Sequence, residues 1–329
     1  MDQEGCDSLP FDYFSLAMEY GMPGWKLFKS LRLSVLTSQE HNSSLGYTKH
    51  IIPKKNGTKR VIYEPQALLK QTQVRLKPIW LDMKVDRDIN ITYEPYSSSI
   101  YRSLKRIENH HTYVILDIKN FFPNISQRYV EDLLLRAGYN KEVAALIAGI
   151  YCVTDKGRRF LPQGGPVSPL ISNRVASMMV DPIVQEILPA GWLYMRYCDN
   201  LILSCPEEPE MNPWTLVTSI MSAVKSAGHF RLHKSGVLTP KNKQKILGLI
   251  LNESLSPPRR YVDNVRALLH NIATKGWETE HINYRVRTQR DVNLSQFRAV
   301  VRGKYQYCIN NLTSTHKLQK LTALWRKVS

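Results

Sequence analysis

Leu193-Tyr194-Met195-Arg196-Tyr197 and Leu201-Ile202-Leu203-Ser204 are two β-like runs separated by Cys198-Asp199-Asn200, and their reading decides the fold. So short a gap between apolar runs is a tight turn between antiparallel strands. The sequence therefore predicts an acid, Asp199, at a hairpin tip. Earlier in the chain, Tyr113-Val114-Ile115-Leu116-Asp117-Ile118 is a continuous apolar run ending in an acid. That is the pattern of a central strand that delivers one carboxylate at its end. If the two strands are neighbours in one sheet, Asp117 and Asp199 suit phosphoryl transfer, in which divalent ions held by carboxylates stabilise the attacking and leaving oxygens. Magnesium is the natural ion for oxygen ligands and phosphates. Each acid taken alone has a plainer reading, since Asp-Asn is favoured in tight turns and an acid at a strand end caps the turn that follows.

Outward from these strands, the composition fits a folded body that meets a polyanion. The chain has 329 residues, 43% of them apolar, enough for one large core or a few coupled subdomains. Lysine and arginine number 45 against 28 acids, a formal charge of +17 spread along the chain. Such a surface gains affinity for nucleic acid through counterion release. No apolar run approaches the roughly 18 residues that span a bilayer, and Met1-Asp2-Gln3-Glu4-Gly5 lacks the order of a secretion signal. The expected location is cytoplasmic, with no membrane partner. Five cysteines without a Cys-x-x-Cys spacing predict free thiols rather than disulfides or zinc.

Residues 1–45 read as an N-terminal extension with short helices around Phe11–Tyr20 and Trp25–Leu36. His50 to Tyr63 is a hairpin signal, two apolar runs flanking Asn56-Gly57, with a cationic tip. Helices are expected over Gln71–Met83, after a Ser126 cap up to Gly138, over Lys141–Ile150, from Ser168-Pro169, and over Trp214–Ala227. Lys245–Leu251 reads as a last strand, and Pro257-Pro258 as a hinge into a basic helical C-terminal part.

With the blocks laid out in order, the chain resembles the reverse transcriptase family over roughly residues 47 to 310. Leu116-Asp117-Ile118-Lys119-Asn120-Phe121-Phe122-Pro123-Asn124-Ile125 is similar to the first catalytic block. Leu161-Pro162-Gln163-Gly164-Gly165-Pro166-Val167-Ser168-Pro169 with Asn173 resembles the substrate-positioning block, the most specific of the set. Tyr197-Cys198-Asp199-Asn200 resembles the Tyr-x-Asp-Asp block, and Lys234-Ser235 and Ile246-Leu247-Gly248-Leu249 the two that follow.

The resemblance implies an α+β right-hand polymerase with fingers, a palm built on an antiparallel sheet, and a helical thumb. It divides the chain into fingers at 46–112 and 124–175, palm at 113–123 and 176–256, and thumb at 257–329. Asp117 and Asp199 would hold two Mg2+ or Mn2+ ions with the Ile118 carbonyl as a further ligand, beside Asn200. Lys234 would donate a proton to the departing pyrophosphate. Lys54, Lys59 and Arg60 would meet the triphosphate. Phe122 would exclude a 2′-hydroxyl, and Gln163, Gly164, Tyr197 and Cys198 would line the nucleotide site. Arg259, Arg260, Arg266, Arg302 and Lys304 would grip the duplex through its phosphates. A solvated hairpin tip, a core phenylalanine and a solvated helical face are the plainer readings of these groups.

The style of the first block is most similar to bacterial retron, group II intron and defence-associated enzymes. Two retron habits are absent: Ser103-Leu104-Lys105-Arg106-Ile107 stands where Asn-Ala-x-x-His is usual, and Ile246-Leu247-Gly248 replaces Val-Thr-Gly. The implied function is RNA-templated DNA synthesis in antiphage defence on a cognate non-coding RNA. Template RNA, DNA product and deoxynucleotides are the implied partners, with a second reverse transcriptase, an effector protein or another copy of the chain beside them. Asn200 replaces the usual second aspartate and removes one charge from the metal site. That keeps two alternatives open, a catalytically degenerate nucleic-acid-binding subunit and a retron enzyme that makes msDNA.

Overall fold

A computed structural model describes residues 46–329 except 54–56, 85, 87, 90–99, 229 and 253. The helices expected within residues 1–45, and Lys54, lie outside these residues. In chain order the first elements are β1 (Tyr47–Pro53), β2 (Lys59–Pro65), α1 (Ala67–Arg75), α2 (Lys77–Leu81), α3 (Ile100–Lys105), β3 (Thr112–Ile118), α4 (Phe121–Asn124), α5 (Gln127–Arg136) and α6 (Lys141–Tyr151). There follow β4 (Val153–Asp155), β5 (Arg158–Phe160), α7 (Ser168–Met179), α8 (Asp181–Ile187), β6 (Leu193–Tyr197), β7 (Asn200–Cys205), α9 (Pro213–Ser226) and β8 (Leu232–Leu238). The chain ends with β9 (Lys245–Ile246), β10 (Leu249–Ile250), α10 (Arg259–Lys275), α11 (Trp277–Thr288), α12 (Leu294–Asn311) and α13 (Thr315–Arg326).

By its internal contacts the chain forms two compact units. The first is built around the described residues of 114–203 and 210–237 with those of 46–89, and the second around the described residues of 238–329 with 100–113 and 204–209.

The first unit holds the expected antiparallel sheet, four strands in the order β6-β7-β3-β8. The end of β3 meets the starts of both its neighbours: the Ile118 N–H donates to the Asp199 carbonyl at 2.9 Å and the Lys119 N–H to the Arg231 carbonyl at 2.8 Å. Val114 and Leu116 are fully buried on one face of β3, and on the other Tyr113 is fully buried and Ile115 half-buried, which is why β3 reads as an unbroken apolar run rather than an alternating one. The predicted hairpin is present, β1 pairing β2 with Pro53 opposite Lys59 and Tyr47 opposite Pro65. A second hairpin, β4 with β5, was not anticipated. Lys156 and Gly157 both take positive φ, 50° and 72°, the two-residue turn that suits antiparallel strands.

Several helix boundaries differ from expectation. The helix foreseen over Gln71–Met83 starts earlier and is two, α1 and α2, parted at Leu76 just before Pro78, whose ring cannot continue the bonding of the preceding turn. Ser126 takes the N-cap position of α5 but makes no side-chain capping bond. Asn140, not foreseen, caps α6 by accepting from the Val143 N–H at 2.9 Å. Ser168 lies inside α7 rather than capping it, and Val167 holds the cap position.

In the second unit, α10 buries Val262, Val265, Leu269 and Ile272, a spacing that keeps one stripe of the helix inward. They join Tyr284, Phe297, Val301, Cys308, Leu312 and Leu321 in the core of a helical bundle. An Asn293–Gln296 capping box starts α12. The strand expected over Lys245–Leu251 is a pair, β9 and β10. Leu247 and Gly248, at φ 46° and 91°, turn the chain back between them. Among the described residues no helix is long and apolar enough to cross a membrane.

Candidate active site

Three strands bring the candidate catalytic groups together at one end of the sheet. Asp117 is the penultimate residue of β3, Asp199 sits in the β6–β7 turn, and Asn200 opens β7. The turn is tight enough to hold Cys198, a buried residue with a side chain, at φ 54°. Ile118 opposes Asp199 through the 2.9 Å backbone bond, so Asp117 and Asp199 belong to neighbouring strands, as the sequence reading required. Asn200 turns its Nδ2 toward the Asp199 Oδ1 at 3.2 Å. Its amide thus supports the aspartate where a second carboxylate would repel it.

A charged network under the turn was not foreseen. Arg196 on β6 is fully buried, and Asp181 at the start of α8 is 4% exposed. Their contact is bidentate, Nε to Oδ1 at 2.8 Å and Nη2 to Oδ2 at 2.9 Å, the geometry that makes a buried pair strong. The remaining guanidinium donors reach the Asn173 Oδ1 at 3.1 Å, the Ser177 Oγ at 3.2 Å and the Cys198 carbonyl at 3.4 Å. Tyr194 adds its hydroxyl to Asp181 Oδ1 at 2.7 Å. Burial works against the Arg196 charge, but the Asp181 carboxylate outweighs it and holds the guanidinium's pKa above its ordinary value. The network ties Asn173 of α7 to the strand that carries the turn. An arginine inside an apolar strand run was the available signal.

Gln163 and Gly164 lie in the loop before α7, where the Tyr63 N–H of β2 donates to the Gln163 carbonyl at 2.8 Å. Gly164 has φ 122°, and a Cβ there would stand 2.6 Å from the Tyr63 carbonyl oxygen. Only glycine allows the hairpin backbone so close. Tyr63 also donates to Asp155 at 2.8 Å, and Lys49 pairs with the same carboxylate at 3.0 Å, which lowers the Asp155 pKa through the Lys49 bond first and the Tyr63 bond second. The base of the hairpin is therefore fixed, while Lys59 and Arg60 near its tip are exposed.

Phe121 is buried against Phe230, ring centroids 5.9 Å apart, and Phe122 is half-buried beside it. The first phenylalanine is a core residue and the second keeps an open face. Tyr197 is half-buried, and burial, with Cys198 and Asp199 nearby, raises its pKa. Lys234 lies on β8. Its neighbour His233, which the sequence reading passed over, places Nδ1 3.8 Å from the Asp117 Oδ1. Among the described residues no three His, Cys, Asp or Glu side chains stand already gathered as a metal site. Two carboxylates on adjoining strand ends are nonetheless a donor set that fits a hard divalent ion.

The second unit carries the candidate duplex contacts on its surface. Arg259, Arg260 and Arg266 are exposed on α10 and Arg302 on α12. The two long pairs that Asp263 makes, 3.7 Å each to Arg259 and Arg266, leave those cations loosely engaged. Lys304 is half-buried, its ammonium 5.8 Å from the Tyr284 ring centroid.

Comparison with known proteins gives the family. The family described as reverse transcriptase (RNA-dependent DNA polymerase) matches residues 52–251, more than half of the chain. The retron Mx162 reverse transcriptase of Myxococcus xanthus is 27% identical over 284 residues, 74% of this chain and 58% of that protein. The retron Ec86 reverse transcriptase of Escherichia coli is 26% identical over 261 residues, 77% of this chain and 79% of that protein. The chain thus spans less than two thirds of the first relative. Among solved structures, telomerase from Candida albicans in complex with a TWJ fragment of telomeric RNA aligns at 14% identity and a TM-score of 0.48, over 93% of this chain and 68% of that one.

Proposed function

The chain belongs to the reverse transcriptase family, and on that footing we propose that it is an RNA-directed DNA polymerase working through Asp117 and Asp199. Reverse transcriptases as a family use divalent metal ions. Bound here by the two carboxylates with the Ile118 carbonyl, Mg2+ or Mn2+ would supply charge stabilisation to the attacking and leaving oxygens. The observation that carries the reading is the backbone bond between Ile118 and Asp199, which sets the two acids on adjoining strands.

The chain's own residues have separable tasks in this proposal. Gln163 and Gly164 form a close-packed floor for the incoming nucleotide. Phe122 presents a ring beneath its sugar, and Tyr197 with Cys198 shapes the turn that aims Asp199. Lys59 and Arg60 neutralise the triphosphate, with Lys54 near them in sequence, and Lys234 gives a proton to the pyrophosphate oxygen as it leaves. Arg259, Arg260, Arg266, Arg302 and Lys304 hold the phosphates of the template and primer without reading bases. Residues 46–112 and 124–175 act as fingers, 113–123 and 176–256 as palm and 257–329 as thumb.

The similarity to retron enzymes favours a dedicated non-coding RNA as template and an msDNA-like product. An antiphage role, with an effector protein, a second reverse transcriptase or a further copy of the chain, belongs to the same proposal. One observation favours a second reading: Asn200 lowers the charge of the centre, as in a subunit that binds nucleic acid without copying it. Incorporation of labelled deoxynucleotides on the co-purifying RNA separates the two. Asp199→Ala is expected to lose on the order of 10³-fold in rate, since metal-held charge stabilisation amounts to several kcal/mol. No incorporation by the unaltered protein with either ion would reject the polymerase.

A further inference from the structure

Asp117 is flanked along one row of the sheet. With Ile118 opposite Asp199, the next pair is Asp117 and Asn200; with Lys119 opposite Arg231, the pair two residues back is Asp117 and His233. Directly opposed residues of antiparallel strands project to the same face, about 5 Å apart. Asn200, Asp117 and His233 therefore form a line across β7, β3 and β8. The residue on one side is neutral and turns its N–H end to Asp199. The residue on the other is an imidazole whose Nδ1 is buried and has no hydrogen-bond partner.

The Nδ1 to Asp117 Oδ1 distance is 3.8 Å, too long for a hydrogen bond. It falls between the spacings of two ligands on one ion, since metal bonds of about 2.1 Å set ligand atoms roughly 3 Å apart at a right angle and about 4.2 Å apart when opposed, so a small side-chain rotation brings both atoms onto one ion. We propose that His233 is a ligand, through Nδ1, of the metal ion held by Asp117, and that the centre favours an ion accepting nitrogen with oxygen, Mn2+ over Mg2+. The inference rests on the metal centre proposed above. Its chemical sense is compensation: a site short of one carboxylate gains a neutral nitrogen donor, and imidazole suits first-row transition ions better than it suits magnesium. The competing interpretation is that His233 ion-pairs with Asp117 and holds metal away.

The test uses the full chain loaded with Mn2+ alone. Pulsed electron paramagnetic resonance of protein labelled with 15N-histidine, against unlabelled protein, is expected to show a nitrogen coupling that changes with the isotope and vanishes in His233→Gln. Mn2+ titration of that variant is expected to weaken at least the roughly 10-fold that loss of even an outer-shell partner costs, with a smaller change for Mg2+. Bound Mn2+ without histidine nitrogen coupling in the unaltered protein overturns the proposal, and this spectrum needs no variant to fold. Tighter or unchanged Mn2+ binding in His233→Gln overturns it as well. Asp117→Asn tells the two failures apart: loss there with none in His233→Gln removes the histidine alone, and loss in neither removes the centre.

Discussion

The sheet end that carries Asp199 and the helical bundle after Pro258 handle charge in opposite ways. Under the turn, Arg196 and Asp181 lie inside the protein, and each side-chain polar atom meets a partner at 2.7 to 3.4 Å. In the bundle the core cluster is apolar, and Arg259 and Arg266 stand outside it with long pairs to one shared partner, Asp263. Interior charge of this kind is costly unless its geometry is fixed by several bonds, and what it secures is position. Exterior charge is cheap and mobile, suited to phosphates met in any sequence. Under the proposed function, one region has to hold two carboxylates in register, and the other only has to be positive.

The contrast breaks most sharply at Arg196. Arg196→Met strands the Asp181 carboxylate in the interior and is expected to cost about 3–5 kcal/mol in denaturant unfolding, much of it recovered when Asp181→Leu is added. A loss below about 1 kcal/mol, the level of an exposed ion pair, would show that the network does not anchor the turn. Gly164→Ala comes next. It forces a side chain onto a φ of 122° and into the Tyr63 carbonyl, and about 1–3 kcal/mol of strain is expected, read as a lower unfolding midpoint with unchanged m-value. The smallest effect on stability belongs to Arg302→Ala, within about 0.5 kcal/mol. Its signature lies elsewhere, in a slope of log affinity against log salt for a template-primer duplex reduced by roughly 1. A normal slope would remove Arg302 from the contact surface.

What was legible in the sequence was local. The apolar run closing on Asp117, the short gap holding Asp199 and the hairpin of β1 and β2 each declare themselves within ten residues or so, and each forms the strand or turn expected of it; the block from Leu161 to Pro169 is as local, a loop running into α7. What was missed depends on the meeting of distant segments. Arg196 looked like one polar residue in an apolar strand, and nothing near it announced Asp181 as a partner. His233 sits in a run of mixed polarity whose strand character comes from pairing with β3, so its place opposite Asp117 became visible only with the register. The β9–β10 reversal was hidden for another reason: Leu247 takes a left-handed conformation that sequence rules reserve for glycine or asparagine. Lys156-Gly157 carried a readable turn signal that was passed over.

The hairpin of β1 and β2 is stitched at its base, with Tyr63 bonded to Gln163 and Asp155, while the side chains of Lys59 and Arg60 face solvent. In mechanical terms that is a lever with a fixed fulcrum. The arm from Tyr63 to Lys59 is four strand residues, about 13 Å, so a rocking of roughly 10° carries the cations about 2 Å, the difference between touching a phosphate and missing it. The same rocking leaves the fulcrum almost still, and the loop of Gln163 with it, so in the proposed polymerase the grip on the triphosphate and the floor beneath the nucleotide would operate on separate clocks.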